Sequence, residues 1–241
     1  MKFTLISFTS LLFLACWVTP LRADTEWYDV EVVIFANKAM TGANDEEWPD
    51  EPGYPDTTNA VQLVMVTDES LPGMPPIEFQ MLPQELWQLS GIEDSLKQSS
   101  QYRVITHLAW RQLGLPPDSA PPVLINEGQD SPSLVFNSFD NQPDKELQGL
   151  IKISRKRYLH IDADLVYRAQ VTADDGSARM ASFRLTEHRR MRSKELHYLD
   201  HPLFGMIIAI TPYKWTPPTP EPPQPVVPKT QPTTTNPAPA G

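Results

Sequence analysis

The segment RYLHIDADLVYRAQVTADDGSARMASFRLTEHRRMR, Arg157–Arg192, carries the clearest strand pattern in the chain. Its first part alternates apolar and polar side chains, which is the period of a strand with one buried face. The expected inward positions are Leu159, Ile161, Ala163, Leu165 and Tyr167, and the expected outward positions are Tyr158, His160, Asp162 and Asp164. Asp175-Gly176 is a hairpin-turn signal, and a return strand follows it with Ala181, Phe183 and Leu185 inward. The segment therefore predicts an antiparallel hairpin.

Three further segments have the composition of strands. LQGLIKIS, residues 147–154, places Leu147, Gly149, Ile151 and Ile153 on one face, and a turn is expected at SRK, residues 154–156. WYDVEVVIFA, residues 27–36, and FGMIIAITPY, residues 204–213, are rich in β-branched and aromatic side chains at both parities. Such runs indicate strands buried on both faces.

The middle of the chain has helical signals. PQELW, residues 83–87, is typical of a helix start, and a second helix is predicted over residues 92–113, with apolar side chains at helix-like intervals and Gly114 as a stop. Trp110 is expected to contact the core or a groove. One N-terminal strand, one or two helices and then an antiparallel sheet of about four C-terminal strands give an α+β fold.

The two ends of the chain differ from its centre. Residues 1–23 combine a cation at Lys2, a short apolar run and Leu21-Arg22-Ala23, the order of a secretory signal peptide. Residues 216–241 hold ten prolines and predict a disordered tail. A single domain is expected over residues 24–215, with a long acidic, proline-rich connection at residues 37–83. Cys16, the only cysteine, lies in the signal segment, so no disulfide is expected.

The charge is divided between two halves. Residues 24–144 carry 21 acidic and four basic side chains, whereas residues 145–215 carry 13 basic and eight acidic ones. The division is consistent with two solvated faces or with a basic surface that meets an anionic partner. Nucleic acid is not expected as that partner, because the basic patch is modest and the chain carries a secretory signal.

Candidate chemistries find little support in the residue pattern. His197 and His201 are four apart, but Pro202 and the strand pattern argue against the helix that would bring them to one metal, and no third ligand is suitably spaced. No G-x-S-x-G or phosphate-binding glycine loop is present. Asp162 and Asp164 would allow paired-carboxylate chemistry, but solvated acids on a strand face are the favoured explanation. No metal, cofactor or catalytic residue is predicted.

Three motifs carry a resemblance to a known family. They are W-Y-x-V-E-V-x-I-F at residues 27–35, R-Y-L-H at residues 157–160 and L-H-Y-L-D-H-P-L-F-G at residues 196–205. Together they resemble the CsiV family of periplasmic peptidoglycan-binding proteins of Gram-negative bacteria. The resemblance extends over the signal segment, the first strand and most of residues 147–213. Residues 38–143 resemble the family only in being acidic and proline-rich, with a helix.

The resemblance implies a non-catalytic periplasmic protein. It would act with an outer-membrane lipoprotein that activates a class A penicillin-binding protein, and so support cell-wall synthesis. A peptidoglycan hydrolase or transferase of unrecognised type is the alternative. Cations with interleaved aromatic side chains suit carboxylates and sugar rings. The candidate ligand-binding residues are therefore Arg157, Tyr158, His160, Arg189, Arg190, Arg192, Lys194, His197, Tyr198 and His201. For residues 197–202, the alternative role of closing the core and fixing a turn is favoured over ligand binding.

Overall fold

A computed structural model describes residues 26–39, 52–65, 75–126, 145–172 and 176–216 of the 241-residue chain. The predicted signal peptide, Asp175 of the hairpin tip and the tail beyond residue 216 lie outside these ranges. Within them, no helix has the length and apolar character needed to cross a membrane.

The described residues form two antiparallel sheets and one α-helix. The first sheet has the order β2-β3-β1-β9-β8. Its strands are β1 (Trp27–Asn37), β2 (Gln80–Met81), β3 (Tyr102–Leu113), β8 (Leu196–His201) and β9 (Phe204–Tyr213). The second sheet has the order β4-β5-β6-β7. Its strands are β4 (Val123–Asn126), β5 (Leu147–Arg155), β6 (Leu159–Thr172) and β7 (Ala178–Met191). The helix α1 spans Ser90–Gln98 and follows a 3-10 turn at Gln84–Leu86.

The two sheets share one hydrophobic core. Alternate side chains of β1, such as Val32 and Ile34, are buried in the same cluster as Ile151 of β5 and Ile161 of β6. This arrangement is a β-sandwich, in which each sheet contributes one apolar face. Trp110, on β3, is fully buried in this core, in agreement with its expected core role.

A polar link also crosses the core between the sheets. The Trp110 indole N–H donates to Gln112 Oε1 over 2.8 Å, and the Gln112 amide donates to the carbonyl oxygen of Ile153 over 3.2 Å. Both polar side chains are thus hydrogen-bonded in the interior, as buried polar groups need to be.

The hairpin expected from residues 157–192 is confirmed as β6 and β7, paired from Leu159 opposite Met191 to Thr172 opposite Ala178. Gly176 has a φ of +82°, a conformation that glycine adopts without steric cost. The strands expected at residues 27–36, 147–154 and 204–213 are confirmed as β1, β5 and β9.

The predicted helix over residues 92–113 is wrong. The helix ends at Gln98, and residues 102–113 form β3, the neighbour of β1. The α+β expectation holds only in part, because the described ranges contain two sheets with more than four strands and a single α-helix. β3 is covered by the core on one face and partly by α1 on the other, where Val104 packs against the small cluster that holds Val33 and Leu89. Burial on both faces removes the alternation that reveals a strand.

The described parts of the connection at residues 37–83 lie along the second sheet and the edge of the first. Val61 bridges Val123 of β4, and Val64 bridges Gln80 of β2. Arg184 of β7 donates to the Pro52 carbonyl oxygen over 2.9 Å. These contacts fix the connection to the sandwich.

Candidate functional site

One end of the sandwich gathers segments that are distant in sequence. Pairing of Trp27 with both Leu113 and Tyr213 places the start of β1 beside the ends of β3 and β9. The β5–β6 turn joins this end because the Arg155 amide donates to the Leu115 carbonyl over 2.7 Å. The β7–β8 turn joins it because the Lys194 amide donates to the Ile210 carbonyl over 2.8 Å.

An open cleft of about 450 Å³ lies at this end. Its lining includes three arginines, two tyrosines and two glutamates, namely Arg155, Arg157, Arg192, Tyr28, Tyr158, Glu26 and Glu195. We refer to this feature as the arginine cleft. The two turns supply most of its cations, and the start of β1 supplies one wall.

The wall formed by β1 is internally paired. The Tyr28 hydroxyl donates to Glu26 Oε2 over 2.6 Å, and Arg155 Nη2 lies 2.9 Å from the same oxygen. Burial raises the pKa of Tyr28, and the hydrogen bond to Glu26 raises it further. Tyr28 therefore stays a neutral hydroxyl, and Glu26 neutralises Arg155 rather than the whole cleft.

The wall formed by the two turns is more exposed, and fewer of its positive charges are paired with a carboxylate. The Tyr158 ring lies 5.4 Å from the Arg157 guanidinium and 4.7 Å from the Arg190 guanidinium. Arg192 lies 3.5 Å from Glu195, and both side chains are more than half exposed. An exposed pair of this kind contributes little and is readily exchanged for another partner.

His160 lies beside this wall on the outer face of the second sheet. It is opposite Arg190 in the β6–β7 register, and its ring stacks on His188 with centroids 5.4 Å apart. His188 Nδ1 is 2.5 Å from Asp162 Oδ1. Pairing therefore carries Tyr158, His160 and Arg190 to one surface, together with Arg157 and Arg192.

Three of the other expected residues lie near the cleft but do not line it. Arg189 points away from Arg190 because successive strand side chains alternate, and it donates to the Tyr198 carbonyl over 2.7 Å. Lys194 is exposed at a turn position with a φ of +65°. His197 is partly buried, with Nε2 3.2 Å from the Arg192 amide nitrogen. Of the three, only Lys194 presents its side chain fully to solvent.

Tyr198 and His201 lie away from the arginine cleft. The Tyr198 ring stacks on Phe35, with centroids 6.1 Å apart, and its hydroxyl donates to Asp200 over 2.6 Å. His201 is buried among aromatic rings, and its Nδ1 accepts the Leu203 amide over 3.2 Å. Burial lowers the pKa of His201 to about 4. These contacts favour the structural role for both residues.

Sequence reasoning missed the residues that complete the cleft. Glu26 and Tyr28 are far from the basic half in sequence, and only the fold brings them to it. Arg155 carried a usable signal, because the run RKRY at residues 155–158 places cations and an aromatic ring together at a strand turn. Glu195 faces the same opening from the β7–β8 turn.

A second cluster of titratable side chains is buried beneath α1. His107 Nε2 lies 2.8 Å from Glu31, and His107 Nδ1 lies 2.9 Å from Glu93. Glu31 also accepts the amides of Gln88 and Leu89 over 2.8 Å, at the start of α1. This cluster, the Glu31–His107–Glu93 clamp, attaches the helix to the sheet. Its contacts are those of a group that holds the helix against the sheet.

The clamp predicts a pH dependence of stability. Burial would lower the pKa of His107, but its hydrogen bonds to Glu31 and Glu93 outweigh burial and raise it. Burial would raise the pKa of Glu93, but Lys97 and His107 outweigh it and lower the pKa. The contribution of His107 is full below its usual 6.5 and is lost as pH rises through the raised value. That of Glu93 is full above its usual 4.5 and is lost as pH falls through the lowered value.

Urea unfolding across this pH range should therefore show the clamp's contribution at its highest between pH 4.5 and 6.5. The difference in unfolding free energy between the wild-type protein and His107→Gln measures that contribution directly. A difference that grows above pH 8 would contradict the assigned sign.

The two acids considered for paired-carboxylate chemistry both contact basic side chains of β7. Asp164 receives two hydrogen bonds of 2.7 Å from Arg184, and Asp162 contacts His188. Among the residues that the structure describes, no group of three or more histidine, cysteine, aspartate or glutamate side chains is arranged to hold a metal ion.

Comparison with known proteins places these features in a family. No curated protein and no solved structure matches the chain. The sequence model of the family described as "Peptidoglycan-binding protein, CsiV" matches residues 6–213, which include every strand, the helix and the arginine cleft. The chain therefore belongs to the CsiV family of peptidoglycan-binding proteins.

Proposed function

We propose that the protein binds peptidoglycan through the arginine cleft and catalyses no reaction on it. The observation that carries the proposal is the open, cationic and aromatic cleft in a member of a family named for peptidoglycan binding. Guanidinium groups form charge-assisted hydrogen bonds with carboxylates, and tyrosine rings pack on apolar sugar faces. Peptidoglycan carries both carboxylates, on its stem peptides, and apolar sugar faces, on its glycan strands.

The position of the cleft suits a polymeric ligand. It is formed by turns and by the ends of β-strands at the surface, so a long peptidoglycan chain could pass across it without threading through the protein. Lys156 and Lys194 extend the basic surface on the two turns, and both are exposed. Long-range attraction by such a surface raises the local concentration of an anionic polymer.

The cellular setting belongs to the same proposal. The resemblance noted in the sequence implies that the chain is exported through residues 1–23 to the periplasm. There it would act with an outer-membrane lipoprotein activator of a class A penicillin-binding protein. Binding of both the wall and the activator would place synthesis where the polymer is present. Pull-down of the lipoprotein with and without sacculi tests this part separately.

Sedimentation with purified sacculi tests the binding. The triple variant Arg157→Gln, Arg190→Gln, Arg192→Gln should bind roughly 10- to 100-fold more weakly, because each exposed charge contributes about 1 kcal/mol or less. Wild-type binding should also weaken with salt, since such charges are screened over about 8 Å at physiological ionic strength.

The matched control removes three cations from the other end of the sandwich. Lys38, Lys145 and Arg179 lie one strand length away, roughly 30 Å at about 3.3 Å per residue, and their replacement by Gln should leave binding nearly unchanged. Equal loss in both triple variants would assign binding to net charge instead of the cleft. Muropeptides released into the supernatant would instead indicate a hydrolase.

A further inference from the structure

The arginines of the described residues differ in how their charge is compensated. Arg111 contacts Asp29, Arg155 contacts Glu26 and Arg184 contacts Asp164, at distances between 2.6 and 2.9 Å. Arg157 and Arg190 have no carboxylate partner within the ranges that the structure describes. Their common neighbour is the neutral ring of Tyr158. Two uncompensated guanidinium groups therefore stand beside one aromatic ring.

Tyr158 explains how both cations are held at the surface without a carboxylate partner among the described residues. Cation–π contact with one ring positions both guanidinium groups without using their charge in an ion pair. Tyr158 and both arginines are exposed, so their N–H donors remain available to a ligand. A bound anion would offset the uncompensated positive charge of these groups.

From this arrangement we infer that the cleft and its rim recognise a free carboxylate of the peptidoglycan stem peptide, held by Arg157 in the cleft lining and by Arg190 beside it. The inference rests on the proposed function and specifies which part of the polymer is read. A guanidinium presents a planar fork that matches both oxygens of a carboxylate. The N-acetylated sugars of the glycan carry no charge, so the stem peptide is the source of the anion.

The same arrangement reduces the role of sugar stacking at this point. Tyr158 is the most exposed aromatic side chain of the cleft, and two guanidinium groups already lie against its ring. A sugar would have to displace one of them before it could stack there. The glycan backbone should therefore contribute less to affinity than the stem peptide.

Equilibrium binding to soluble probes tests the inference with the full mature chain. The probes are a disaccharide-tetrapeptide muropeptide, its C-terminal carboxamide, the corresponding side-chain carboxamide, and a chitooligosaccharide without peptide. The wild-type protein should bind the free acid at least about tenfold more tightly than the oligosaccharide. The carboxamide that loses affinity identifies which carboxylate is bound.

Two variants complete the test. Arg157→Gln, Arg190→Gln should lose the preference for the free acid, so that its affinities for the acid and the amides become equal. Lys38→Gln, Arg179→Gln removes the same charge at the opposite end and should retain the preference. Circular dichroism confirms that both variants are folded.

Each outcome has a distinct meaning. If the wild-type protein binds sacculi but binds the oligosaccharide as tightly as the muropeptide, the inference is overturned and the proposed function stands. If the double Gln variant keeps the acid preference, the two arginines are not the recognising groups. If no sacculus binding occurs at all, the proposed function itself fails.

Discussion

Leu203→Asp is expected to unfold the domain. Leu203 is fully buried, in the core cluster that holds Phe204 and Met206, and it immediately precedes β9. An unpaired carboxylate in such a site costs several kcal/mol, which is a large part of the roughly 5–15 kcal/mol that stabilises a typical domain. The variant should lack a cooperative thermal transition and near-UV circular dichroism.

Leu196→Asp is the matched control for this substitution. Leu196 lies on β8, next to β9, but its side chain is 58% exposed. The same chemical change there should alter the unfolding free energy by less than about 0.5 kcal/mol, the usual range for surface positions. Comparable damage from both variants would mean that Leu203 is not specifically buried in the folded protein.

Glu31→Ala is expected to cost about 3–5 kcal/mol of unfolding free energy, the usual cost of breaking a buried ion pair. Glu31 contacts His107 and accepts both amide hydrogen bonds at the start of α1. Without Glu31, the buried His107 imidazole keeps only Glu93 as a carboxylate partner. The backbone amides of Gln88 and Leu89 lose their acceptor. The segment from Trp87 to Gln98 should then detach more readily from the sheet.

Urea unfolding gives the global cost, and the indole N–H resonance of Trp87 in an NMR spectrum reports the local detachment. The Trp87 ring is 4.2 Å from the His107 ring and changes environment if the segment lifts away. Glu85→Ala provides the control, since Glu85 is exposed and adjacent to the same segment. A Glu31→Ala variant as stable as Glu85→Ala would show that the clamp does not hold the helix.

The β6–β7 hairpin could be predicted because its two faces meet different environments. Leu159, Ile161 and Leu165 face the core, while His160 and Asp162 face outward, so the sequence alternates with the period of a strand. The same physical reasoning failed for β3. Thr106 and His107 are polar but buried, and His107 is satisfied only by Glu31 and Glu93, which are distant in sequence.

The candidate site divides in a similar way. Arg157 and Tyr158 are adjacent in sequence, and the β6–β7 hairpin carries Arg190 to them, so a basic and aromatic surface could be expected. Arg189 is next to Arg190 in sequence but does not share its surface, because successive side chains of β7 alternate between the two faces of the sheet. Tyr28 could not be predicted at all, since the pairing of β1 with β3 and β9 places it there.

The most direct test of peptidoglycan binding at the arginine cleft is backbone amide chemical-shift mapping during titration with a soluble muropeptide. Changes are expected to concentrate at residues 26–28, 155–160 and 190–195, with little change around Lys38 and Arg179 at the opposite end. Saturable changes centred on Tyr102 and Tyr198, or elsewhere outside those three segments, would contradict the assignment of the cleft as the binding site.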